Sequence, residues 1–126
     1  MTLGAARPTP TPSPTPLPPE NPAITVVARH EFVSWQAGVV NKDHYVKAAS
    51  DTLTDDVVTH MSQALSGLGA LVRVEWYGNF NIIGAPPGVV GYSYRMVCSN
   101  GAIFEQLMIE PDGKIDSINF LMKLPP

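Results

Sequence analysis

The stretch GVVGYSYRMVCSNGAIFEQLMIEPDGKIDSINFLMK, from Gly88 to Lys123, decides the fold. It holds three runs of mainly apolar residues, separated by two turn signals, Asn100-Gly101 and Pro111-Asp112-Gly113. Asn-Gly favours a type I′ turn because both residues tolerate positive φ, and proline presets φ for a turn that glycine completes. The stretch therefore predicts three antiparallel strands. Their predicted ranges are 89–98, 102–109 and 114–122.

A further strand is predicted just ahead of this stretch. Apolar residues there occupy even positions, which is the period of a strand with one buried face. These residues are Val72, Val74, Trp76, Phe80 and Ile82. Gly78 interrupts the pattern and predicts a bulge or a bend.

Three helices are predicted before the strands. Asn21-Pro22 is a helix start, and Gly38 is a C-terminal stop. Asn41 begins a short second helix through Ala49 that turns Tyr45 inward, and Thr54 caps the third. The first helix carries a stripe at steps of three and four that is apolar except for Glu31. The stripe comprises Ile24, Val27, Ala28, Glu31, Phe32 and Trp35.

The N-terminal region differs from the rest of the chain in its high content of proline, threonine and serine. Residues 1–22 hold eight of the thirteen prolines, interleaved with threonine and serine. Such a tract predicts an extended, disordered linker over 1–21 and a folded domain over 22–126. Thr/Ser-Pro tracts often tether a domain to a wall or an anchor, which favours an exported protein. A cytoplasmic protein and a tail without a role remain alternatives.

Charge and hydropathy argue against two features, a nucleic-acid interface and a transmembrane segment. The net charge is −3 and the basic residues are scattered, whereas nucleic-acid binding requires clustered basic side chains. No apolar run approaches the roughly 20 residues that span a bilayer. The sequence thus predicts neither nucleic-acid binding nor a transmembrane segment.

The order of helices and strands resembles the nuclear transport factor 2-like superfamily, the cystatin-like α+β roll. The matching features are the end of the first helix at 32–38, the sequence Leu65-Ser66-Gly67-Leu68-Gly69 before a strand, and the hairpin 110–115 followed by Ile118-Asn119-Phe120. They span residues 22–124. The resemblance implies a cone: about three N-terminal helices packed on a curved, four-stranded antiparallel sheet. It is closest to small bacterial domains of unknown function, some of which precede hydrolase domains.

Enzymes of this superfamily, such as ketosteroid isomerase-like and polyketide cyclase-like members, work inside the cone. An acid or base acts there beside a tyrosine or second acid that donates a hydrogen bond to a developing oxyanion. The corresponding catalytic candidates are Tyr92 or Tyr94 as the donor and Glu105 or Asp56 as the base.

The inner lining is predicted from strand parity. The even positions of the strand at 89–98 are its more apolar face, which points Tyr92 and Tyr94 inward. On the next strand, Phe104 and Gln106 share a face, and the opposite register would bring Glu105 inside in place of Gln106. The predicted ligand-binding residues are Trp35, Tyr45, Trp76, Tyr92, Tyr94, Phe104, Gln106 and Phe120.

The three histidines are predicted to lie at the surface or at its edge. His30, His44 and His60 show no metal-ligand spacing, and no phosphate loop or nucleophile elbow accompanies them. The sequence therefore predicts neither a metal nor a cofactor.

The strand at 102–109 is apolar on both faces. One face can pack on the core, and the other would be an exposed apolar patch unless another surface buries it. Pairing of two sheets would supply that surface, and a homodimer is expected. The leading hypothesis is a small-ligand-binding or accessory module with a small apolar ligand in the cone. The alternatives are an isomerase, dehydratase or cyclase, and a structural accessory of a hydrolase.

Overall fold

Three α-helices pack on a four-stranded antiparallel sheet of order β1-β2-β3-β4. The computed structural model describes residues 17–81 and 83–125. The helices are α1 (Pro22–Ala37), α2 (Lys47–Ser50) and α3 (Asp55–Ser66), and a 3-10 turn covers Lys42–His44. The strands are β1 (Leu71–Phe80), β2 (Val90–Cys98), β3 (Gly101–Ile109) and β4 (Ile115–Leu121). The predicted α+β class is confirmed.

The helix ends follow the predicted capping residues. The Asn21 side chain accepts a hydrogen bond from the Ala23 N–H at 3.1 Å, and Pro22 occupies the first position of α1. Gly38 ends α1 in the left-handed conformation, with φ of 73°. The Thr54 hydroxyl accepts from the Val57 N–H at 3.3 Å at the start of α3. The Asn21 and Thr54 side chains thus satisfy N–H groups at the helix starts that would otherwise lack partners.

The prediction of one continuous second helix is wrong. Asn41 caps only the 3-10 turn, after which Tyr45 adopts an extended conformation and pairs with Ile115 in a parallel bridge. The Val46 N–H donates to the Ile115 carbonyl at 3.0 Å, and α2 begins only at Lys47. The bridge turns the Tyr45 side chain into the core, where it is 4% exposed. Tertiary packing of one tyrosine has thus overridden local helix propensity.

Two bulges alter the predicted alternation of β1. Val74 and Trp76 point inward as predicted, because they pair with the inward-facing Met96 and Tyr94. A register shift near Val72 leaves that side chain exposed. A second shift at Gly78, whose φ is 96°, pairs Phe80 with Gly91 on the outer face. The bulge predicted from Gly78 is confirmed, whereas the inward positions of Val72 and Phe80 are wrong. The predicted position of Ile82 lies outside the described residues.

The register of β3 is the opposite of the one that parity favoured. Glu105 lies opposite Tyr94 on β2 and opposite Phe120 on β4, all on the inner face. Phe104 and Gln106 consequently point to the outer face, so their predicted place inside the cone is wrong. The alternative register, with Glu105 inside, is the observed one.

The inner face of the sheet packs on α1. Phe32 and Trp35 of α1 each meet the ring of Phe120 edge-on, with ring centroids 6.0 Å apart. Ala28 and Leu107 are also fully buried in this core. Side chains therefore fill the space between α1 and the middle of the sheet.

The predicted linker over 1–21 falls partly outside the described residues, which begin at Leu17. Residues 17–21 have no regular secondary structure. The Trp76 indole N–H donates to the Pro18 carbonyl at 2.9 Å, so this end of the tract contacts β1. Within 17–81 and 83–125, no helix combines the length and the apolar character that crossing a membrane requires.

Candidate functional site

An open cleft of about 470 Å³ lies where α1, the 3-10 turn and the β3–β4 hairpin meet. Its wall is formed by Val26, Val27, His30 and Glu31 of α1, by Asp43 and His44 of the turn, and by Asp112, Gly113, Lys114 and Ile115 of the hairpin. The wall combines aliphatic side chains with several polar groups that converge on one space. Such a combination is typical of sites for small ligands.

The fold brings these residues together from three parts of the chain. His30 and Glu31 sit side by side in α1, and the reversal at Gly38 returns the chain to place His44 beside them. The Tyr45–Ile115 bridge fixes the turn against β4. The Lys114 ammonium donates to the Asp43 carbonyl and links the turn to the hairpin.

Glu31 is the centre of the cleft wall. Its side chain is 2% exposed, with Oε2 lying 3.2 Å from His44 Nδ1 and 3.9 Å from His30 Nε2. The two imidazole rings are 5.8 Å apart between centroids. The other carboxylate oxygen, Oε1, is buried and has no hydrogen-bond partner among the described residues.

The hydrogen bonds around His44 assign its tautomer. Asn41 Oδ1 accepts from the Asp43 N–H at 3.0 Å, so the Asn41 amide nitrogen is the atom that lies 3.3 Å from His44 Nε2. Nε2 is therefore the acceptor, and Nδ1 carries the proton that it donates to Glu31. The result is an imidazole N–H that donates to a buried carboxylate.

A second buried carboxyl group lies deeper, on β3. Glu105 is completely buried, and neither of its oxygens has a hydrogen-bond partner within the described ranges. Burial raises the pKa of this carboxyl group well above its ordinary value, and the nearby charge of Glu31 raises it further. Burial therefore favours the protonated form, a carboxylic acid whose O–H can donate a hydrogen bond.

Two tyrosine hydroxyls accompany the buried acids. The Trp35 indole N–H donates to the Tyr45 hydroxyl at 2.9 Å, and the Thr25 hydroxyl lies 3.4 Å from that of Tyr94. Burial raises the pKa of Tyr94 to about 12 and also raises the pKa of Tyr45. Both hydroxyls therefore keep their protons at neutral pH and can act as donors.

The aromatic residues predicted to bind a ligand fill the interior. Six of them lie on the inner side: Trp35, Tyr45, Trp76, Tyr92, Tyr94 and Phe120. They pack on one another, with ring centroids 5.3 Å apart for Trp76 and Tyr94. Their predicted role in binding stays a prediction, since these contacts are those of a packed core.

The remaining predicted residues lie elsewhere. Phe104 packs edge-on against Tyr77 on the outer face, with centroids 5.1 Å apart, and the Gln106 amide donates to the Ser93 hydroxyl at 3.2 Å. Asp56 is exposed in the first turn of α3, where it has no access to the interior that holds Tyr94 and Glu105.

Sequence reasoning did not identify the cluster of His30, Glu31 and His44. Each residue offers one ligand atom, and these atoms lie within 4.8 Å of one another. One signal was available, because Glu31 is the only acidic residue in the otherwise apolar stripe of α1. A buried charge needs a partner, and His30 is adjacent in sequence. The position of His44 depends on the chain reversal and had no local signal.

Comparisons of this chain with family models, with curated proteins and with solved structures find no match.

Proposed function

We propose that the chain is a small-ligand-binding module of the nuclear transport factor 2-like superfamily. In this proposal the ligand occupies the cleft beside Glu31 rather than the packed interior. The ligand is small and mostly apolar, with one polar group that meets His30 and His44. An accessory role beside a hydrolase domain is compatible with the same site.

The observation that carries the proposal is the wall of the cleft. Val26, Val27 and Ile115 supply an aliphatic surface, and the two histidines and Glu31 converge on it. The volume of about 470 Å³ lies within the range of small-molecule pockets. Glu31 contributes polar groups that are held in place by burial, which reduces the entropy lost on binding.

A cleft-filling substitution tests the proposal. Val26 is exposed at the cleft wall, so Val26→Trp fills the space without changing the core. Binding of a fragment library is measured by ligand-observed NMR on the full chain. We expect hits for the wild type that Val26→Trp loses. Val33→Trp, at an exposed position of α1 outside the cleft, is the control and keeps them. The absence of wild-type hits, or equal binding by Val26→Trp, contradicts the proposal.

The proposal includes the finer description of the fold as a cone-shaped roll. A sheet that wraps a helix must bend, and β-bulges bend strands. The register shifts in β1 at Gly78 and between β3 and β4 at Met108 and Ile109 support such a bend.

Pairing of two copies through the outer face of the sheet is also part of the proposal. Tyr77 is 43% exposed there and packs on the half-buried Phe104, which in turn lies opposite Leu121. An isologous contact would cover this apolar strip in both copies. Polar neighbours such as the Arg95–Glu75 ion pair, at 3.1 Å, would form its rim.

A second candidate function is proton transfer of the isomerase, dehydratase or cyclase type. It is favoured by Glu105, a buried carboxyl group without a hydrogen-bond partner in the described part of the chain, with Tyr94 directly opposite. Glu105 would act as the acid or base, and Tyr94 would donate to a developing oxyanion.

Hydrogen–deuterium exchange tests this second candidate. Small ketones are incubated with the full chain in D₂O, and deuterium uptake next to the carbonyl is followed by NMR. We expect catalysed uptake that Glu105→Gln abolishes, with Gln106→Ala as the control on the outer face. Uptake that is equal in Glu105→Gln, or no faster than in buffer, contradicts it.

A further inference from the structure

We propose that His30, Glu31 and His44 bind one divalent transition-metal ion, with Zn²⁺ as the best fit, and that the ion presents an open coordination position to the cleft. The inference deepens the proposed function and rests on it for the role of the ion, which would hold the polar group of the ligand. Zinc binding itself is measurable without any organic ligand.

The first argument is the spacing of the ligand atoms. In a tetrahedral zinc site with bonds of about 2.0–2.1 Å, neighbouring ligand atoms are about 3.3 Å apart. Glu31 Oε2 lies 3.2 Å from His44 Nδ1 and 3.9 Å from His30 Nε2, and all three ligand atoms fall within 4.8 Å of one another. The side chains of His30 and His44 must move to reach tetrahedral spacing. They can do so because they are 62% and 42% exposed.

The second argument is the unsatisfied buried carboxylate. Glu31 is 1% exposed, and its Oε1 has no hydrogen-bond partner among residues 17–81 and 83–125. The neighbours of Glu31 on the inner side, Tyr45 and Glu105, carry no positive charge. A divalent cation in the cleft would supply the positive charge that a buried carboxylate requires.

The chemistry of the ligand set selects the class of metal. Two imidazole nitrogens and one carboxylate oxygen suit zinc and its first-row neighbours, whereas Mg²⁺ and Ca²⁺ prefer oxygen ligands. Three protein ligands leave a fourth position for water or for a ligand, as in zinc sites that interact with small molecules. The cleft gives that position access from solvent.

Asn41 provides an independent test of the geometry. A metal on His44 Nδ1 leaves the ring proton on Nε2, which then faces the amide nitrogen of Asn41. Asn41→Asp replaces that nitrogen with a second oxygen, while the other oxygen still accepts from the Asp43 N–H. The carboxylate would orient the imidazole and raise its basicity. Asn41→Asp is therefore expected to bind zinc about tenfold more tightly than wild type.

Isothermal titration of the metal-free full chain with zinc chloride measures the site. We expect one zinc ion per chain, and a loss of affinity of at least about tenfold in His30→Ala and in His44→Ala. His60→Ala is the control, because His60 is exposed on α3 outside the cluster, and it keeps wild-type affinity. Circular dichroism confirms that each variant is folded. Glu31→Gln, which keeps the side-chain shape, is expected to weaken zinc binding in the same way.

Absence of one-to-one zinc binding, or unchanged affinity in the His30→Ala and His44→Ala double variant, overturns the inference. Fragment binding that persists in a chelator while zinc fails to bind overturns the inference and leaves the proposed function intact. Zinc binding in a chain that binds no fragment supports the inference and overturns the proposed function.

Discussion

Glu105 shows what a single residue contributes to both stability and chemistry. A carboxyl group on a central strand, fully buried opposite Tyr94 and Phe120, cannot ionise without losing the hydration of its charge. Such a group lowers stability at neutral pH. A buried carboxyl group of this kind is a candidate site residue.

The raised pKa of Glu105 predicts the pH dependence of stability. In the folded chain it holds a proton that the unfolded chain releases above about pH 4.3, so stability falls as pH rises from there towards the folded pKa, by up to about 1.4 kcal/mol per pH unit. Glu105→Gln cannot titrate, so the variant lacks this loss of stability. Urea unfolding at about pH 5 and about pH 7 should show a smaller loss for Glu105→Gln than for wild type.

The matched control is Glu20→Gln, at an exposed position before α1, which should keep the wild-type pH dependence. Parallel pH profiles for wild type and Glu105→Gln would show that the carboxyl group is solvated or paired, in conflict with its buried position.

At the scale of elements, the ends of helices were predictable and the faces of strands were only partly so. Asn21, Gly38 and Thr54 act through local backbone groups, so their effect can be deduced from neighbouring sequence. The face of β3 could not be fixed in this way, because Phe104 and Met108 alternate with Ile103 and Leu107 and either set could be buried. Cross-strand pairing with β2 and β4 decides the register.

In β1, a bulge limits how far the alternation of side chains predicts the buried face. The Gly78 position predicted a bulge, but a bulge also inserts one residue and reverses the alternation beyond it. The alternation therefore held for Val74 and Trp76 and failed for Phe80. Tyr45 shows the same limit, since its bridge to Ile115 is a contact between distant parts of the chain.

Alanine substitutions at two glycines, at the ends of α1 and α3, are expected to change stability in opposite directions. Gly38 has φ of 73°, and an added Cβ would lie 3.2 Å from the Ser62 hydroxyl. Gly38→Ala should therefore destabilise the fold by about 1 kcal/mol. Gly67 has φ of −64°, and its Cβ would make an ordinary 3.7 Å contact. Gly67→Ala should be neutral or stabilising by up to about 1 kcal/mol.

Urea unfolding of both variants against wild type measures this difference. Equal effects of the two substitutions would contradict the left-handed end of α1.

At the scale of the whole molecule, the site is formed by residues from separate parts of the chain. His30 and Glu31 come from α1, His44 from the turn after it, and Lys114 from the last hairpin. No window of sequence contains this set, so spacing motifs could not find it. The proximity of Glu31 in the cleft wall to the buried Glu105 likewise appears only once α1 is packed on β3.

Pairing of whole molecules gives a further prediction. Tyr77→Arg places a charge on the exposed part of the outer sheet face without changing the core, so we expect a dimer of wild type to become monomeric. Val33→Arg, at an exposed position of α1, is the control and should leave the dimer intact. Light scattering coupled to gel filtration measures the mass. A wild-type monomer, or a dimer that Tyr77→Arg does not disturb, contradicts pairing through this face.

The most direct measurement is a crystal structure of the full chain grown with zinc, with data collected on both sides of the zinc absorption edge. We expect an anomalous peak bounded by His30, Glu31 and His44, with Glu105 on the inner face of β3. An anomalous peak only at His60, no peak at all, or a map that places Gln106 inside in place of Glu105 would contradict this account.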